Sequence, residues 1–372
     1  MKYTPFEMER WQSTFENRVT INLSESGVHP MTAGELLQLA GTDEGIEGIP
    51  LSYGQSNGSD ELRDRIAALY PGATEASVLV TVGGAEANFV SQWHLLDAQK
   101  PAAVMLPNYM QVPGMVENFG APILPFNLKE ETGWQPDLIE LESALKDGAS
   151  FILVTNPNNP TGACLSEESM AGIVELADRF GAWILSDEVY RGAEVVGEET
   201  PSFWGRTERV LITNSLSKAY GLPGLRLGWV VGPSDLVQDL WGRTDYTTIS
   251  PASLSDHMAT LALEPTTRSK ILQRTRGIIK ANFEAMKGWI DEQEGLFSYR
   301  PPDAGAICYM RYDSEVNSSA FAEKLRVEKS LLVVPGDHFG MDHYLRIGFG
   351  NPREELMDGL GRITEAFQEV RS

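Results

Sequence analysis

Five short and almost wholly apolar runs recur along this chain, Ser77 to Thr81, Ala102 to Leu106, Phe151 to Thr155, Trp183 to Ser186 and Val210 to Asn214, bounded by Pro, Asn, Gly or Asp. Between them lie stretches with helical spacing, such as Glu61 to Leu69, Ala85 to Leu96 and Glu167 to Arg179. A strand buried on both faces reads as a continuous apolar run, and such strands separated by helices make a parallel sheet covered on both sides. The fold class expected is therefore α/β, a large mostly parallel sheet with its ligand site beyond the carboxyl ends of the strands. From Arg268 to Glu294 the pattern is one long helix. Strands near Ala306 to Arg311, Leu331 to Val334 and Leu345 to Gly348, with a terminal helix from Pro352, then predict a smaller α+β unit. The expected division is an N-terminal arm, 1–45, packing on the small unit, a large domain, 46–265, and a bridging helix with the small domain, 266–372.

Charge narrows the partners. Lys and Arg total 30 against 52 Asp and Glu, a formal charge of −22, which repels phosphate backbones and anionic lipid heads. Neither nucleic acid nor membrane is an expected partner. Cys164 and Cys308 are too few for a disulfide scaffold and neither sits in a CxxC, which fits a reducing, cytoplasmic setting. The opening MKYTPFEMERW lacks an apolar export core, and the five histidines form no HExxH, so no export signal and no metal site are expected.

The chemistry concentrates after the strands. SLSKAYGLPGLRLGW, residues 215–229, follows a predicted strand and sets Lys218 among small and hydroxylic residues, with Arg226 eight positions on. A lysine among cationic and apolar neighbours has a lowered pKa and is a nucleophile toward aldehydes. Arg226, Ser215 and Ser217 are suited to an anion such as phosphate. NPNNPTG, 156–162, is a turn presenting Asn159 at the sheet edge, and SDEVYRG, 186–192, ends an apolar strand in Asp187 with Tyr190 three residues later. A carboxylate at that depth needs a cationic partner, and a protonated pyridine nitrogen would serve. TVGGAEANF, 81–89, is a glycine-rich turn opening a helix, whose free N–H groups suit phosphate.

Taken in this order, these motifs resemble the fold-type-I pyridoxal-phosphate enzymes of the aspartate aminotransferase superfamily, along essentially the whole chain. The resemblance implies pyridoxal 5′-phosphate as cofactor, carried by Lys218, with Asp187 at the pyridine nitrogen and Asn159 and Tyr190 at the phenolic oxygen. It also implies that Tyr109, in LPNYMQV, stacks on the ring and that Gly84, Ala85, Ser215, Ser217 and Arg226 form the phosphate cup. Tyr53, in YGQSNGSDELR, would reach the phosphate of a partner subunit, which makes a homodimer the expected assembly; the alternative is a packing aromatic. Arg346, in YLRIGFG, would grip a substrate α-carboxylate in a bidentate fork, or else serve as a rim salt-bridge partner.

Within the superfamily, EMERW (7–11), SESGVHPMTAGEL (24–36), the lysine segment, LLVVPGDHFG (331–340) and YLRIGFG (344–350) look most like the capreomycidine synthase-like cyclodehydratases, which close the guanidine of a hydroxyarginine into a ring. The resemblance implies a lyase-type cyclisation, with an aminotransferase reaction as the alternative; the YGQSNG loop looks more like that of ordinary aminotransferases. A guanidinium substrate needs carboxylates. Glu9, or a solvated helix face, and Glu25, or a loop cap, are the candidates. Gly27 and His29 of the same loop complete the expected substrate contacts, His29 reading otherwise as a base or, before either, as a satisfied structural histidine.

Overall fold

The computed structural model describes residues 3–42, 46–293 and 295–371. The apolar runs form an eight-stranded sheet. Its strands are β1 (Val78–Thr81), β2 (Ala102–Leu106), β3 (Ile123–Lys129), β4 (Gln135–Pro136), β5 (Phe151–Thr155), β6 (Trp183–Asp187), β7 (Val210–Ser215) and β8 (Gly228–Val231), in the spatial order β1-β8-β7-β6-β5-β2-β3-β4. The centre, from β3 through β2, β5 and β6 to β7, is parallel, and β8 runs antiparallel between β1 and β7. One face carries the core of Ile152, Ile184 and Ile212; the other carries Leu153, Leu185 and Leu211. That two-sided burial is why these strands read as unbroken apolar runs.

Register places the chemistry. Thr155 pairs with Asp187 and Asp187 with Thr213, a polar row across the carboxyl ends of β5, β6 and β7. Ser215 and Thr81 both pair with Gly228. A Cβ at Gly228 would lie 2.5 Å from the Gly83 carbonyl carbon and 2.6 Å from the Gly84 nitrogen, so only glycine there lets the helix Gly83–Leu95 start directly against the sheet. Gly83 has φ +78, and a side chain on it would meet Arg226 Nη2 at 2.3 Å.

A second, four-stranded antiparallel sheet orders Phe297–Tyr299, Ile307–Tyr312, Tyr344–Gly348 and Val334–Pro335 side by side. The long helix runs Pro265–Asp291, three residues earlier than expected at its start, because the Glu264 carboxylate accepts from Thr267 N as an N-cap and Pro265 takes the first helical position. The end expected at Glu294 falls on a position outside the described residues. The run Leu331 to Val334, expected as one strand, is two: Leu331–Leu332 pairs in parallel with Ile21–Asn22, while Val334–Pro335 pairs with Tyr344–Gly348. The first helix, α1 (Glu7–Phe15), is tied on both sides. Asn118 exchanges two hydrogen bonds with the Thr4 backbone, and Trp11 Nε1 donates to the Val333 carbonyl at 2.9 Å. Among the described residues no helix is long and apolar enough to cross a membrane.

Candidate active site

A cavity of about 220 Å³ opens at the carboxyl ends of β5 to β7, roofed by α1 and walled by the Arg346 strand. Of the expected residues it brings together Lys218, Gly84, Ala85, Tyr109, Asn159, Asp187, Tyr190, Ser215, Ser217, Arg226, Arg346, Glu9 and Glu25.

One end suits an anion. The helix Gly83–Leu95 has no side-chain cap on its first turn, and Ser215, Ser217 and Arg226 stand around that turn. Ser217 N donates to Ser215 Oγ at 3.2 Å, which turns the hydroxyl into the cup. At the other end Asp187 is buried, with neutral donors as its hydrogen-bond partners. Its Oδ2 accepts from Asn88 Nδ2 at 2.9 Å and its Oδ1 from Val189 N at 3.1 Å, and burial raises its pKa against those donors. Asn88 is in turn oriented by Thr213 Oγ1, which donates to its Oδ1 at 2.7 Å. A buried carboxylate held this way asks for a cationic ring nitrogen. Tyr109 lines the cavity between these ends, set edge-on to Phe6 at 5.2 Å, and burial pushes its hydroxyl pKa upward. The phosphate cup, the aromatic wall, the buried carboxylate and the amine of Lys218 together match pyridoxal phosphate group by group.

Arg346 is 1% exposed, on a central strand of the small sheet. Its Nη1 donates to Asn159 Oδ1 at 2.9 Å and its Nη2 to the Ser24 carbonyl at 2.5 Å, while Nε has no partner among the described residues. Burial lowers its pKa, and among the described residues no carboxylate forms an ion pair with it. A desolvated guanidinium in that state is a receptor for an anion.

Other expectations are redrawn. His29 does not line the cavity: its Nδ1 lies 3.0 Å from the Gly350 carbonyl oxygen, and its own carbonyl accepts from Arg274. It is a structural histidine. Gly27 sits behind the lysine, where a Cβ would be 3.5 Å from Lys218 Cδ, and does not itself face the cavity. Tyr53 is 83% exposed and outside the cavity of its own chain. Tyr190 donates to Ser26 Oγ at 2.7 Å. Sequence reading missed Asn88, although it stands one helical turn after Gly84 on the same face. It also missed Gln12 and Glu16, which continue the cavity-facing side of α1 begun by Met8 and Glu9. Among the described residues no three His, Cys, Asp or Glu side chains converge as a metal site.

The profile of the aminotransferase class I and II family matches residues 33–363, and the chain belongs to that family: it is a pyridoxal-phosphate-dependent enzyme of fold type I. More particularly, it is 32% identical over 364 residues to capreomycidine synthase from Streptomyces vinaceus, covering 96% of this chain and 92% of that one. An aspartate aminotransferase from Streptomyces avermitilis is 26% identical, over 86% of this chain and 82% of its own. Among solved structures, a PLP-dependent aminotransferase from Streptococcus suis superposes with a TM-score of 0.93 at 31% identity, covering 100% of this chain and 99% of that one. The PLP-dependent cyclase OrfR shares the fold, with a TM-score of 0.91 at 24% identity over 100% of this chain and 99% of its own.

Proposed function

We propose that this enzyme is a cyclodehydratase that converts a hydroxylated L-arginine into a cyclic guanidino amino acid of the capreomycidine or enduracididine type. The observation that carries the reading is the charge layout of the cavity. The guanidinium of Arg346, ion-paired with no carboxylate among the described residues, supplies one anchor, for an α-carboxylate, and α1 with the residue that caps it sets Glu9 and Glu16 over the same space as a second, for a guanidinium. Burial and the neighbouring Glu25 and Glu9 carboxylates raise the pKa of Glu16, a crowding of negative charge that a bound cation relieves. The similarity to capreomycidine synthase supports the same reading.

When bound, the cofactor supplies a sink for the electron pair left at Cα once its proton is removed. Lys218 would carry it, and its freed Nζ would take the Cα proton. Asp187, held by Asn88, would meet the ring nitrogen as a carboxylate, and Asn159 and Tyr190 would be the groups at the phenolic oxygen. Gly84, Ala85, Ser215, Ser217 and Arg226 would hold the phosphate, and Tyr109 would cover the ring. The side-chain hydroxyl leaves as water, a guanidine nitrogen adds to the carbon it vacates or activates, and no oxidant or 2-oxo acid is consumed. We also propose the division into arm, large domain and small domain given above. A second copy would cover the exposed Leu51, Tyr53 and Tyr246, carrying Tyr53 to its partner's phosphate.

The test is incubation of the loaded enzyme with arginines hydroxylated at Cβ or Cγ, without oxo acid, followed by mass spectrometry. Catalytic formation of a product lighter by one water supports cyclisation. Arrest after a single turnover, relieved by a 2-oxo acid, is the aminotransferase outcome.

A further inference from the structure

Residues 24 to 27 touch, in turn, three side chains that line the cavity, Arg346 of the small sheet and Lys218 and Tyr190 of the large-sheet loops. The Ser24 carbonyl accepts from Arg346, Glu25 Oε2 lies 3.5 Å from Lys218 Nζ, Ser26 Oγ accepts from Tyr190, and Gly27 packs on the lysine stem. The loop is seated by Gly348, two residues past Arg346, where a Cβ would lie 1.9 Å from the Glu25 carbonyl oxygen. Glu25 therefore stands where backbone packing puts it. Sequence alone suggested it for the substrate guanidinium; its observed partner is the catalytic amine.

We propose that Glu25 is a positioning residue that holds Lys218 as an ammonium after it has taken the Cα proton, and so eases removal of that proton from carbon. The proposal rests on the cyclodehydratase reading. In the step it serves, the Cα–H bond breaks, its electron pair stays with the substrate and cofactor, and the proton sits on Nζ. For a hydroxyl on Cβ, the electron pair at Cα then forms the Cα=Cβ bond as the bond from Cβ to oxygen breaks toward oxygen, and the departing hydroxide takes the Nζ proton as water, restoring the neutral amine; a hydroxyl on Cγ needs one further deprotonation, at Cβ, before it leaves. Glu25 neither gains nor loses a proton; its charge lowers the energy of the ammonium.

The surroundings leave this task to Glu25. Among the described residues it is the carboxylate ion-paired with Lys218. Asp187, on β6, is occupied by Asn88 and the Val189 amide. Glu9 faces the cavity from α1 and Glu16 from just past its end, Arg346 from the small sheet, and Tyr190 and Tyr109 from the large-sheet loops. Lys218 foremost, and Arg346 with it, hold the Glu25 carboxyl below its usual range, so it is anionic at neutral pH. Half of its side chain is open to water, which screens the pair and bounds the effect.

The experiment compares Glu25→Gln and Glu25→Asp with wild type in the cofactor-loaded enzyme. The pH midpoint of the bound cofactor's visible absorption, which reports the protonated Lys218 nitrogen, is expected to fall by about 0.5 to 1 unit in Glu25→Gln and to return toward wild type in Glu25→Asp. With hydroxyarginine, Glu25→Gln is expected to lower kcat roughly 10-fold while changing KM less than about 2-fold. An unmoved midpoint overturns the proposal. So does a large rise in KM at constant kcat, the signature of a guanidinium contact. If wild type forms no cyclic product, the cyclodehydratase reading fails, and the midpoint alone then decides whether Glu25 holds the lysine proton.

Discussion

Arg346 Nη1 donates to Asn159 Oδ1 across 2.9 Å, joining a strand of the small sheet to the turn that follows β5 of the large one. The bond fixes which face of the Asn159 amide is left for a ligand: the oxygen is spent on Arg346, so the NH2 group points its donors elsewhere. In the roles proposed for Arg346 and Asn159, substrate and cofactor recognition would share one contact. Replacing Arg346 by Lys keeps a charge but removes the fork and frees Asn159 to turn. We expect kcat/KM to fall by a factor on the order of 30 to 1000, corresponding to about 2–4 kcal/mol. Steady-state kinetics beside a cofactor titration checks this; unchanged kinetics would remove Arg346 from substrate binding.

Lys218→Ala is expected to leave cofactor binding noncovalent and turnover undetectable. Borohydride treatment followed by intact-mass measurement should then add no cofactor mass, whereas wild type is labelled. Labelling of the variant at another lysine would displace Lys218 from its role.

Asp187→Asn removes the charge proposed to face the ring nitrogen, and breaking a buried ion pair costs about 3–5 kcal/mol, so kcat should drop by a factor on the order of 10² to 10⁴. Asn88→Ala leaves Asp187 ionisable but takes away the donor on its Oδ2, and a loss of about 10-fold is expected. Equal losses in the two variants would mean that Asn88 is needed for folding, a point that thermal melts resolve.

Glu188 gives a pH signature independent of catalysis. It is buried beside Asp187, with Oε1 bonded by Ser202 and the Phe203 amide and Oε2 without a partner among the described residues, and desolvation pushes its carboxyl up to about 7 against the nearby Arg191. In the unfolded chain the proton leaves near 4.5, so between these values the folded state binds more protons and stability falls as pH rises. The window is worth up to about 3 kcal/mol. Glu188→Gln should flatten the decline between pH 5 and 8 in urea melts. A difference from wild type that does not vary with pH would show that Glu188 keeps an ordinary pKa in the fold.

Much of this was legible in the residues because position after a strand does the work. Asp187, Asn159 and Lys218 each follow an apolar run, and a charged or amide side chain at such a place has few structural reasons to exist. Asn88 escaped because a polar residue inside a helix reads as surface unless the helix is known to begin on the site. Glu16 escaped because it lies just past the end of α1, although its spacing from Glu9 and Gln12 marks one face. His29 is open to two readings in the sequence because its neighbours Glu25 and Ser26 face the cavity, and the structural one holds: its ring goes to the Gly350 carbonyl. The split of Leu331 to Val334 was invisible for a simpler reason: one apolar run does not tell which of its ends meets which neighbour.

The helix that roofs the cavity begins at the seventh residue, with Met8 packed against Arg346 and Thr4 already bonded to Asn118. A change at Asn118, itself outside the chamber lining, would therefore reach the chamber by loosening its ceiling, whereas the helix Arg353–Arg371 does not line it.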